Sequence, residues 1–260
     1  MSDYKTVRYE TDGRVAIVTI NRPEAMNSFD AELRRDLLSA CQRAANDADV
    51  RVVVLTGEGR SFSAGADLKS GLDPHADTER MLQDEYRPVL ECIWTMDKPV
   101  IAAVGGSAAG IGVSFALVCD LLVMADNAFL LSPFTTISLV PDGGLNWLLV
   151  HQLGYRRAFQ LSIECERISA ERCLELGLAN KVVPAASLLD ETLAWARSLA
   201  ERAPLSIAAT KKAMRHATSA SWASTFDLEA PMQNRLRKSA DSAEGVRAFF
   251  EKRKANFQGK

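Results

Sequence analysis

One carboxylate, Asp142, interrupts an otherwise apolar stretch of this 260-residue chain. The segment SLVPDGGLNWLL runs from Ser138 to Leu149 and contains no other charged residue. Pro-Asp-Gly is common in turns, and an Asp can cap the helix that GLNWLLVHQLG predicts. The alternative is chemistry, because apolar neighbours desolvate a carboxylate, raise its pKa toward neutral and make it a better base. The neighbours expected to act in this way are Leu139, Val140, Leu145 and Trp147.

A second candidate segment, GRSFSAGADLKS, follows a predicted buried strand that ends at Gly57. Small residues dominate it, and the run from Ser63 to Ala66 lets a ligand approach the backbone closely. An amide in this run can point outward as a hydrogen-bond donor. The alternative interpretation is a flexible surface loop.

The third segment, KPVIAAVGGSAAGIGVSFALVCD, predicts a buried strand, a turn rich in glycine and alanine, and an apolar helix that begins near Gly110. The start of such a helix offers free N–H groups and the positive end of the helix dipole. A Walker loop would need Lys and Ser or Thr after Gly110, where the chain has Ile111 and Gly112. Nucleotide binding of that kind is therefore disfavoured.

The same segment also resembles the nucleophile elbow of serine hydrolases, since GGSAA around Ser107 lacks only the final glycine. A catalytic triad would need His75, His151 or His216, and none of them lies in a recognisable loop after a late strand. A serine hydrolase therefore stays a rival interpretation.

The second and third segments together predict a site for a developing negative charge. Two loops of small residues that follow two successive buried strands can direct two backbone N–H groups at one oxygen. The enolate of a thioester needs such donors, and each is worth roughly two to three powers of ten in rate.

These loops must be held by regular elements, and the pattern predicts alternating strands and helices. KTVRYE and RVAIVTI flank Asp12-Gly13, which is typical of a hairpin. Apolar residues at spacings of three and four predict a helix from Asp30 to Asp47, capped by Ser28 or Asp30. The series continues with the buried strand RVVVLTG, a helix around Glu85 to Met96, the strand PVIAAV, a helix from Gly110 and the strand LLVMA. The alternation predicts an α/β protein.

From Ser187 onward the pattern is helical almost throughout, with breaks at Pro204 and at Ser/Asp clusters. We predict a core domain over residues 1–199 that contains the site, and a helical C-terminal subdomain over residues 200–260. The helices of the subdomain carry more large apolar side chains than one chain's core should absorb, which favours a closed homo-oligomer with a threefold interface. These side chains are Trp222, Phe226, Leu228, Phe249, Phe250 and Phe257.

Composition excludes several other classes of function. The chain is 47% hydrophobic and 25% charged with a net charge of -2, so no nucleic-acid or membrane partner is expected. The five cysteines show no CxxC pairing, which predicts reduced, buried thiols. We expect neither a signal segment nor a membrane span, because the N-terminal MSDYKTVRYE has no apolar run and no apolar run elsewhere is long enough to cross a membrane. A cytoplasmic enzyme is the expectation.

The order of the segments and their amino-acid sequences resemble those of the crotonase superfamily, also called the enoyl-CoA hydratase/isomerase family. The resemblance covers nearly the whole chain and implies a spiral of ββα units. The segments that carry it are VAIVTINRPEAMNSFD, VVVLTGEGRSFSAGADL, KPVIAAVGGSAAGIG, CDLLVMADNAFL, the Asp142 segment and EGVRAFFEKRKANF.

By this resemblance, the oxyanion hole consists of the N–H groups of Ala66, after Gly65, and of Ile111, after Gly110. The family usually has glycine where Ile111 stands, so the Ile111 side chain must point away from the thioester or narrow the acyl pocket. The acyl pocket is expected between Phe134 and Trp147.

The resemblance also implies where coenzyme A, as part of the substrate, is bound. It should curl over two short segments, with the adenine in a pocket of small residues, while Arg22 and Glu24 look like solvated loop residues. Two residues of the last helix should approach the nucleotide, from the same chain or from a neighbouring subunit, although a plain core position is equally consistent with the first. The segment residues are Ala25, Met26, Ala64, Asp67 and Leu68, and those of the last helix are Phe249 and Lys252.

Two positions bear on the reaction type. Hydratases of the family hold water between two glutamates, at the positions that are Ser114 and Phe134 here. Asp142 stands at the Pro-acid-Gly position where 3-enoyl-CoA isomerases and ring-opening, oxepin-forming isomerases carry their catalytic carboxylate; dienoyl-CoA isomerases and an aryl-CoA dehalogenase have a carboxylate there too. The resemblance therefore implies an acyl-CoA isomerase with Asp142 as acid and base, no metal or redox cofactor, and assembly as a homotrimer or dimer of trimers. The alternatives are an enoyl-CoA hydratase, another acyl-CoA lyase or hydrolase of the superfamily, or an inactive acyl-CoA-binding homologue.

Overall fold

The fold is dominated by two sheets, and the chain passes repeatedly from a strand of the larger sheet to a strand of the smaller one. The computed structural model describes residues 4–68 and 77–260. The strands in these ranges are β1 Val7–Asp12, β2 Val15–Ile20, β3 Val52–Gly57, β4 Ser61–Ser63, β5 Val100–Val104, β6 Ser107–Ala109, β7 Leu121–Ala125, β8 Phe129–Leu131, β9 Ile168–Ser169 and β10 Lys181–Val183.

Helices cover both sheets and form the C-terminal region. They are α1 Ala31–Asn46, α2 Thr78–Met81, α3 Arg87–Thr95, α4 Ile111–Val118, α5 Leu145–Leu153, α6 Tyr155–Glu164, α7 Ala170–Glu175, α8 Leu188–Ala200, α9 Pro204–Ala217, α10 Trp222–Arg237 and α11 Ala240–Glu251. A π-helical turn, Leu82–Tyr86, joins α2 to α3, and short 3-10 turns lie at Pro23–Ala25, Phe134–Ile137 and Ala185–Ser187. No helix in the described ranges is long and apolar enough to cross a membrane.

The larger sheet has the strand order β1-β2-β3-β5-β7-β10 and is parallel except for the predicted β1–β2 hairpin. The continuous apolar run of β3 is explained by burial of both of its faces, since Val52, Val53, Val54 and Leu55 are all buried. Helix α8 packs against β2, β3, β5 and β7. Helix α1 begins after Asp30, whose Oδ1 accepts the Leu33 N–H at 2.8 Å, so Asp30 and not Ser28 is the cap.

The smaller sheet has the order β4-β6-β8-β9. Each of β4, β6 and β8 directly follows a strand of the larger sheet, and helical segments lead from β4 to the pair β5–β6 and from β6 to the pair β7–β8. An isolated parallel bridge between Phe29 and Ala66 extends the same pattern to the unit of β2 and α1. The predicted spiral of ββα units is confirmed, but β4 and β6 lie in segments that sequence reasoning interpreted as loop and turn.

The C-terminal helices leave many apolar side chains uncovered in one chain. Trp222 is 81% exposed, and Phe249 and Phe250 are 78% and 77% exposed. Helix α9 nevertheless contacts the core through Lys211, whose Nζ lies 2.8 Å from Asp120 Oδ2 and donates to the Ile93 and Lys98 carbonyls. The exposed faces agree with the apolar excess seen in the sequence, whereas the boundary between residues 199 and 200 stays a prediction.

Candidate active site

Two loops of small residues lie side by side because the strands before them are neighbours. Strand β4 pairs in parallel with β6, with Ser61 opposite Ser107 and Ser63 opposite Ala108. The loops that follow therefore leave the sheet together. Gly65 has φ +94°, and a Cβ there would lie 2.8 Å from the Ala109 carbonyl oxygen, so the two backbones touch at a position that only glycine fills without strain.

The hydrogen bonds around these loops leave two backbone donors free. The Phe29 N–H donates to the Gly65 oxygen at 2.8 Å, and the Asp67 N–H donates to the Phe29 oxygen at 3.0 Å. This pairing turns the Ala66 N–H to the opposite side, where it has no partner among the described residues. Ile111 is the first residue of α4, and its N–H also has no partner in the described ranges. The loops thus offer the two N–H groups that an oxyanion hole requires.

The side chain of Ile111 is buried against the turn that carries Asp142. It is 2% exposed, and a Cβ on Gly143 would lie 2.9 Å from Ile111 Cγ1. Ile111 therefore contacts this turn, and the two expectations for its side chain relative to the thioester stay predictions. Phe134 is buried beside the loop that ends at Gly110, since a Cβ on Gly110 would lie 4.0 Å from the ring carbon Cζ of Phe134.

Asp142 lies in a turn between the 3-10 turn Phe134–Ile137 and α5, and the next two residues, Gly143 and Gly144, both have positive φ. The turn interpretation is confirmed, but the cap interpretation is wrong, because Gly144 is the N-cap of α5 and no side chain caps that helix. The Asp142 Oδ1 atom is buried without a hydrogen-bond partner among the described residues. Burial raises the pKa of Asp142 to about 6.

The groups that desolvate Asp142 are only partly those expected. Leu145 is fully buried, but Leu139 and Val140 are 55% and 69% exposed and cannot shield the carboxylate. Asp142 instead lines a cavity of about 450 Å³, whose apolar walls come from the π-helical turn and from α3 and α4. These wall residues are Leu82, Tyr86, Leu90, Trp94 and Val118.

The cavity beside Asp142 does not coincide with the predicted acyl pocket between Phe134 and Trp147, which stays a prediction. Trp147 is not among the lining residues and instead meets the edge of Trp94, with ring centroids 5.3 Å apart. The signal for the wall of this cavity was present in the sequence, because four of the wall residues, from Leu82 to Trp94, recur at intervals of four. Such a stripe predicts a buried helix face. It does not distinguish a core from a cavity.

The positions of the two hydratase glutamates have other contacts here. Ser114 is fully buried and donates its Oγ hydrogen to the Asp142 carbonyl oxygen at 2.9 Å. Phe134 presents only a ring. The other carboxylate among the described lining residues is Glu91, which is exposed and bridges Arg87 at 2.6 Å. Within the described ranges, Asp142 is therefore the carboxylate that lines this cavity with a buried, unpaired oxygen.

The residues expected to bind coenzyme A in the first half of the chain come together. The Ala64 N–H donates to the Met26 oxygen at 2.9 Å, which places the Ala25–Met26 segment against the loop that carries Asp67 and Leu68. Leu68 is 61% exposed and is available to a ligand. Arg22, expected to be solvated, instead contacts the carboxylates of Asp30 and Asp67 at 2.9 and 3.2 Å.

Sequence reasoning also missed the group that fixes this junction. Asn27 is fully buried with φ +57°, and its Nδ2 donates to the carbonyls of Glu58 and Ser61 at 2.9 and 2.7 Å. Ser63 Oγ donates to the Asn27 oxygen at 2.8 Å and accepts the Gly65 N–H at 3.1 Å. The available signal was a polar Asn in the connection between β2 and α1.

Phe249 and Lys252 are not brought to these residues within one chain. Both are exposed, so the interpretation of Phe249 as a core residue is wrong. The tail that follows them is held at Arg51, whose Nη2 donates to the Phe257 oxygen at 2.7 Å. Arg51 precedes β3, whereas the predicted site follows the end of β3 and β4. Their role at a neighbouring subunit stays a prediction.

The serine hydrolase interpretation finds no support in the described residues. Ser107 belongs to β6. His151 Nδ1 contacts the Trp147 oxygen at 2.9 Å, and His216 Nε2 contacts Ser224 Oγ at 3.1 Å, so neither ring reaches Ser107. His75 lies outside the described residues.

The chain is similar to known proteins over nearly its whole length. The profile of the enoyl-CoA hydratase/isomerase family covers residues 10–260. A probable enoyl-CoA hydratase of Rhodobacter capsulatus is 40% identical over 99% of both chains. The 1,2-epoxyphenylacetyl-CoA isomerase of Escherichia coli is 36% identical over 95% of both chains. The crystal structure of an enoyl-CoA hydratase from Polaromonas sp. JS666 superposes with a TM-score of 0.92 at 35% identity, covering 96% of this chain and 99% of that one.

Proposed function

Because the chain belongs to the enoyl-CoA hydratase/isomerase family, whose members act on acyl-CoA thioesters, we propose that it is an acyl-CoA isomerase with Asp142 as its acid and base. The reaction moves a double bond from C3=C4 to C2=C3 of the acyl chain. The 36% identical epoxyphenylacetyl-CoA isomerase supports this choice within the family, whereas the 40% identical probable hydratase supports the alternative.

The reaction proceeds in two proton transfers. The thioester oxygen accepts hydrogen bonds from the Ala66 and Ile111 N–H groups, which stabilise negative charge as it develops on that oxygen. The ionised Asp142 removes a proton from C2, and the electrons of that C–H bond form a dienolate. Asp142 then returns the proton at C4, and the 2-enoyl thioester forms. Each step is a proton transfer, so the proposal needs no metal or redox cofactor.

One observation carries the proposal: the Asp142 carboxylate lines the cavity with its Oδ1 buried and without a partner among the described residues, and its pKa is raised to about 6. A base with a pKa near the working pH is ionised yet basic enough to take a proton that the oxyanion hole has acidified. Ser114 stands where hydratases of the family have a glutamate, and its hydroxyl donates a hydrogen bond to the Asp142 carbonyl oxygen. This bond holds the turn that carries Asp142.

The second candidate, hydration of a 2-enoyl-CoA, rests on the name of the 40% identical relative. Hydration requires a group that activates water in addition to the acid. Ser114 is engaged by the Asp142 carbonyl and Phe134 has no ionisable group, which makes the isomerase the better supported candidate. An inactive acyl-CoA-binding homologue is the third candidate, and turnover separates it from both.

The test is the rate of formation of the conjugated thioester from a 3-enoyl-CoA, followed by its absorbance. Asp142→Asn should lower this rate by about 10³-fold or more at unchanged coenzyme A affinity, because the amide cannot accept the C2 proton. Asp126→Asn is the matched control, since Asp126 is an exposed carboxylate that accepts a backbone N–H from Ala185. An Asp142→Asn variant as active as this control would reject the proposal.

We also propose that the chain assembles as a homotrimer or a dimer of trimers through the region 200–260. The exposed Trp222, Phe226, Phe249 and Phe250 support this, because burying each such side chain contributes about 2 kcal/mol. Sedimentation at micromolar concentration should give a closed oligomer. A clean monomer of the intact chain would contradict the proposal.

A further inference from the structure

Arg34 is a buried cation next to the candidate site that the proposed reaction does not use. It lies in the first turns of α1 and is 7% exposed. Its guanidinium contacts Glu85 Oε2 through Nε at 2.9 Å and through Nη2 at 2.8 Å. A buried charge is costly unless it is paired and hydrogen-bonded, so the contacts that satisfy Arg34 are structurally significant.

On one side, Arg34 reaches the backbone that orients the oxyanion loop. Its Nη1 donates to the Phe29 carbonyl oxygen at 3.3 Å. The same oxygen accepts the Asp67 N–H, and the Phe29 N–H donates to the Gly65 oxygen. These two bonds flank Ala66 and set the direction of its N–H. Arg34 therefore restrains the peptide against which the oxyanion loop is aligned.

On the other side, Arg34 reaches the wall of the cavity beside Asp142. Nη1 also lies 3.3 Å from Tyr86 Oη, and the guanidinium carbon stands 4.8 Å from the centroid of the Tyr86 ring. Tyr86 lines the cavity together with Asp142. Glu85 and Tyr86 end the π-helical turn, and π turns within helices are frequent at functional sites. One guanidinium thus joins the oxyanion loop to the wall that faces the base.

We propose that Arg34 is a positioning residue that keeps the oxyanion donors and the Tyr86 wall in fixed relation to each other. The inference rests on the proposed isomerisation for its kinetic effect but not for its structural effect. Misplacement of a reacting group by about 1 Å can cost about 10²-fold in rate. The peptide that Arg34 restrains also borders the predicted coenzyme A segment at Asp67, so a positioning role should lower kcat by a clearly larger factor than it lowers the affinity for free coenzyme A.

The test combines kinetics with hydrogen exchange on the full-length protein. Arg34→Met keeps an unbranched aliphatic stem without the donors and should lower kcat for 3-enoyl-CoA isomerisation about 10- to 100-fold. Arg34→Lys keeps the charge and should recover part of this loss. Arg43→Met is the matched control, because Arg43 lies on the same helix and over a tyrosine ring, with its guanidinium carbon 4.1 Å from the Tyr9 centroid, yet outside the cavity.

Amide exchange provides the readout that does not depend on turnover. In Arg34→Met, the segment 64–68 should exchange faster, since Asp67 N–H donates to the peptide that Arg34 restrains, while Arg43→Met leaves it unchanged. Unchanged exchange in this segment, or equal losses in kcat and coenzyme A affinity, would overturn the positioning role. If Arg34→Met does not fold, the same two measurements on Arg34→Lys decide the matter. If the wild-type protein does not isomerise a 3-enoyl-CoA, the proposed function is rejected. The exchange result alone then decides whether Arg34 restrains the segment 64–68.

Discussion

The two loops proposed to form the oxyanion hole and the Asp142 turn meet where Ile111 packs against Gly143, but they are held by different kinds of contact. The loops are aligned by strand register and by backbone hydrogen bonds, and their donors are main-chain atoms. The Asp142 turn depends on one side chain, whose Oδ1 has no partner among the described residues. The loops that carry the backbone donors, here called the donor side, should therefore tolerate changes of side chain but not of backbone shape. The Asp142 turn, here called the base side, should tolerate changes of backbone shape better than changes of the Asp142 side chain.

On the donor side, the largest effect is expected from Gly65→Ala. Gly65 has φ +94°, and the new Cβ would lie 2.8 Å from the Ala109 oxygen. The loop must therefore move, and the Ala66 N–H changes direction. Turnover should fall by roughly 10²- to 10³-fold, the typical cost of one lost oxyanion donor. Gly177→Ala is the control, because Gly177 has φ +74° and a Cβ there would meet nothing within 4 Å, and equal losses in both variants would refute the contrast.

The base side should show a gain in stability when its charge is removed. The folded pKa of Asp142, about 6, lies above the ordinary 3.8, so stability is fully present below 3.8 and is lost as pH rises through 6. Asp142→Asn should therefore be more stable than the wild type by about 1–3 kcal/mol at pH 8, and by about half as much at pH 5. Chemical denaturation at the two pH values measures this. A variant less stable at pH 8 would contradict the desolvated carboxylate.

The rate should depend on pH in the same range. The base is active only when ionised, so kcat should rise about tenfold between pH 5 and pH 7 and then level off, following the Asp142 pKa of about 6. A pH–rate profile measures this. A flat profile over that range would assign the proton transfer to another group.

The smallest effect is expected from Ser114→Ala, which removes the hydroxyl bond to the Asp142 carbonyl but leaves the carboxylate. The loss of this bond should cost about 1 kcal/mol of stability, and the looser turn should lower turnover only a few-fold. Thermal unfolding and initial rates measure the two effects. A loss as large as that of Gly65→Ala would mean that Ser114 takes part in the chemistry.

Sequence reasoning recovered the parts of the site that depend on residue type and on strand order. Asp142 stood out as a lone charge, and Gly65 and Gly110 marked two loops after successive strands. The short strands β4 and β6 were missed because each has three residues of Ser, Phe or Ala, too few to show a period. Their pairing nevertheless brings the two loops together.

The cavity wall and the buried cations were missed for a different reason. A stripe such as Leu82, Tyr86, Leu90 and Trp94 looks the same whether it faces a core or a substrate, since both are apolar. Arg22 was expected to be solvated and Arg34 was not singled out, because their carbonyl and carboxylate partners lie on other elements of the chain. Such partners are defined by tertiary packing, which no local pattern encodes.

One product analysis separates isomerisation from hydration at this site. The purified protein is incubated with a 3-enoyl-CoA, and the thioesters are separated and identified over time. Isomerisation through Asp142 predicts that 2-enoyl-CoA accumulates to equilibrium with only traces of 3-hydroxyacyl-CoA, and that Asp142→Asn abolishes this conversion. Accumulation of 3-hydroxyacyl-CoA as the main product would instead show that the site activates water and would contradict the isomerase assignment.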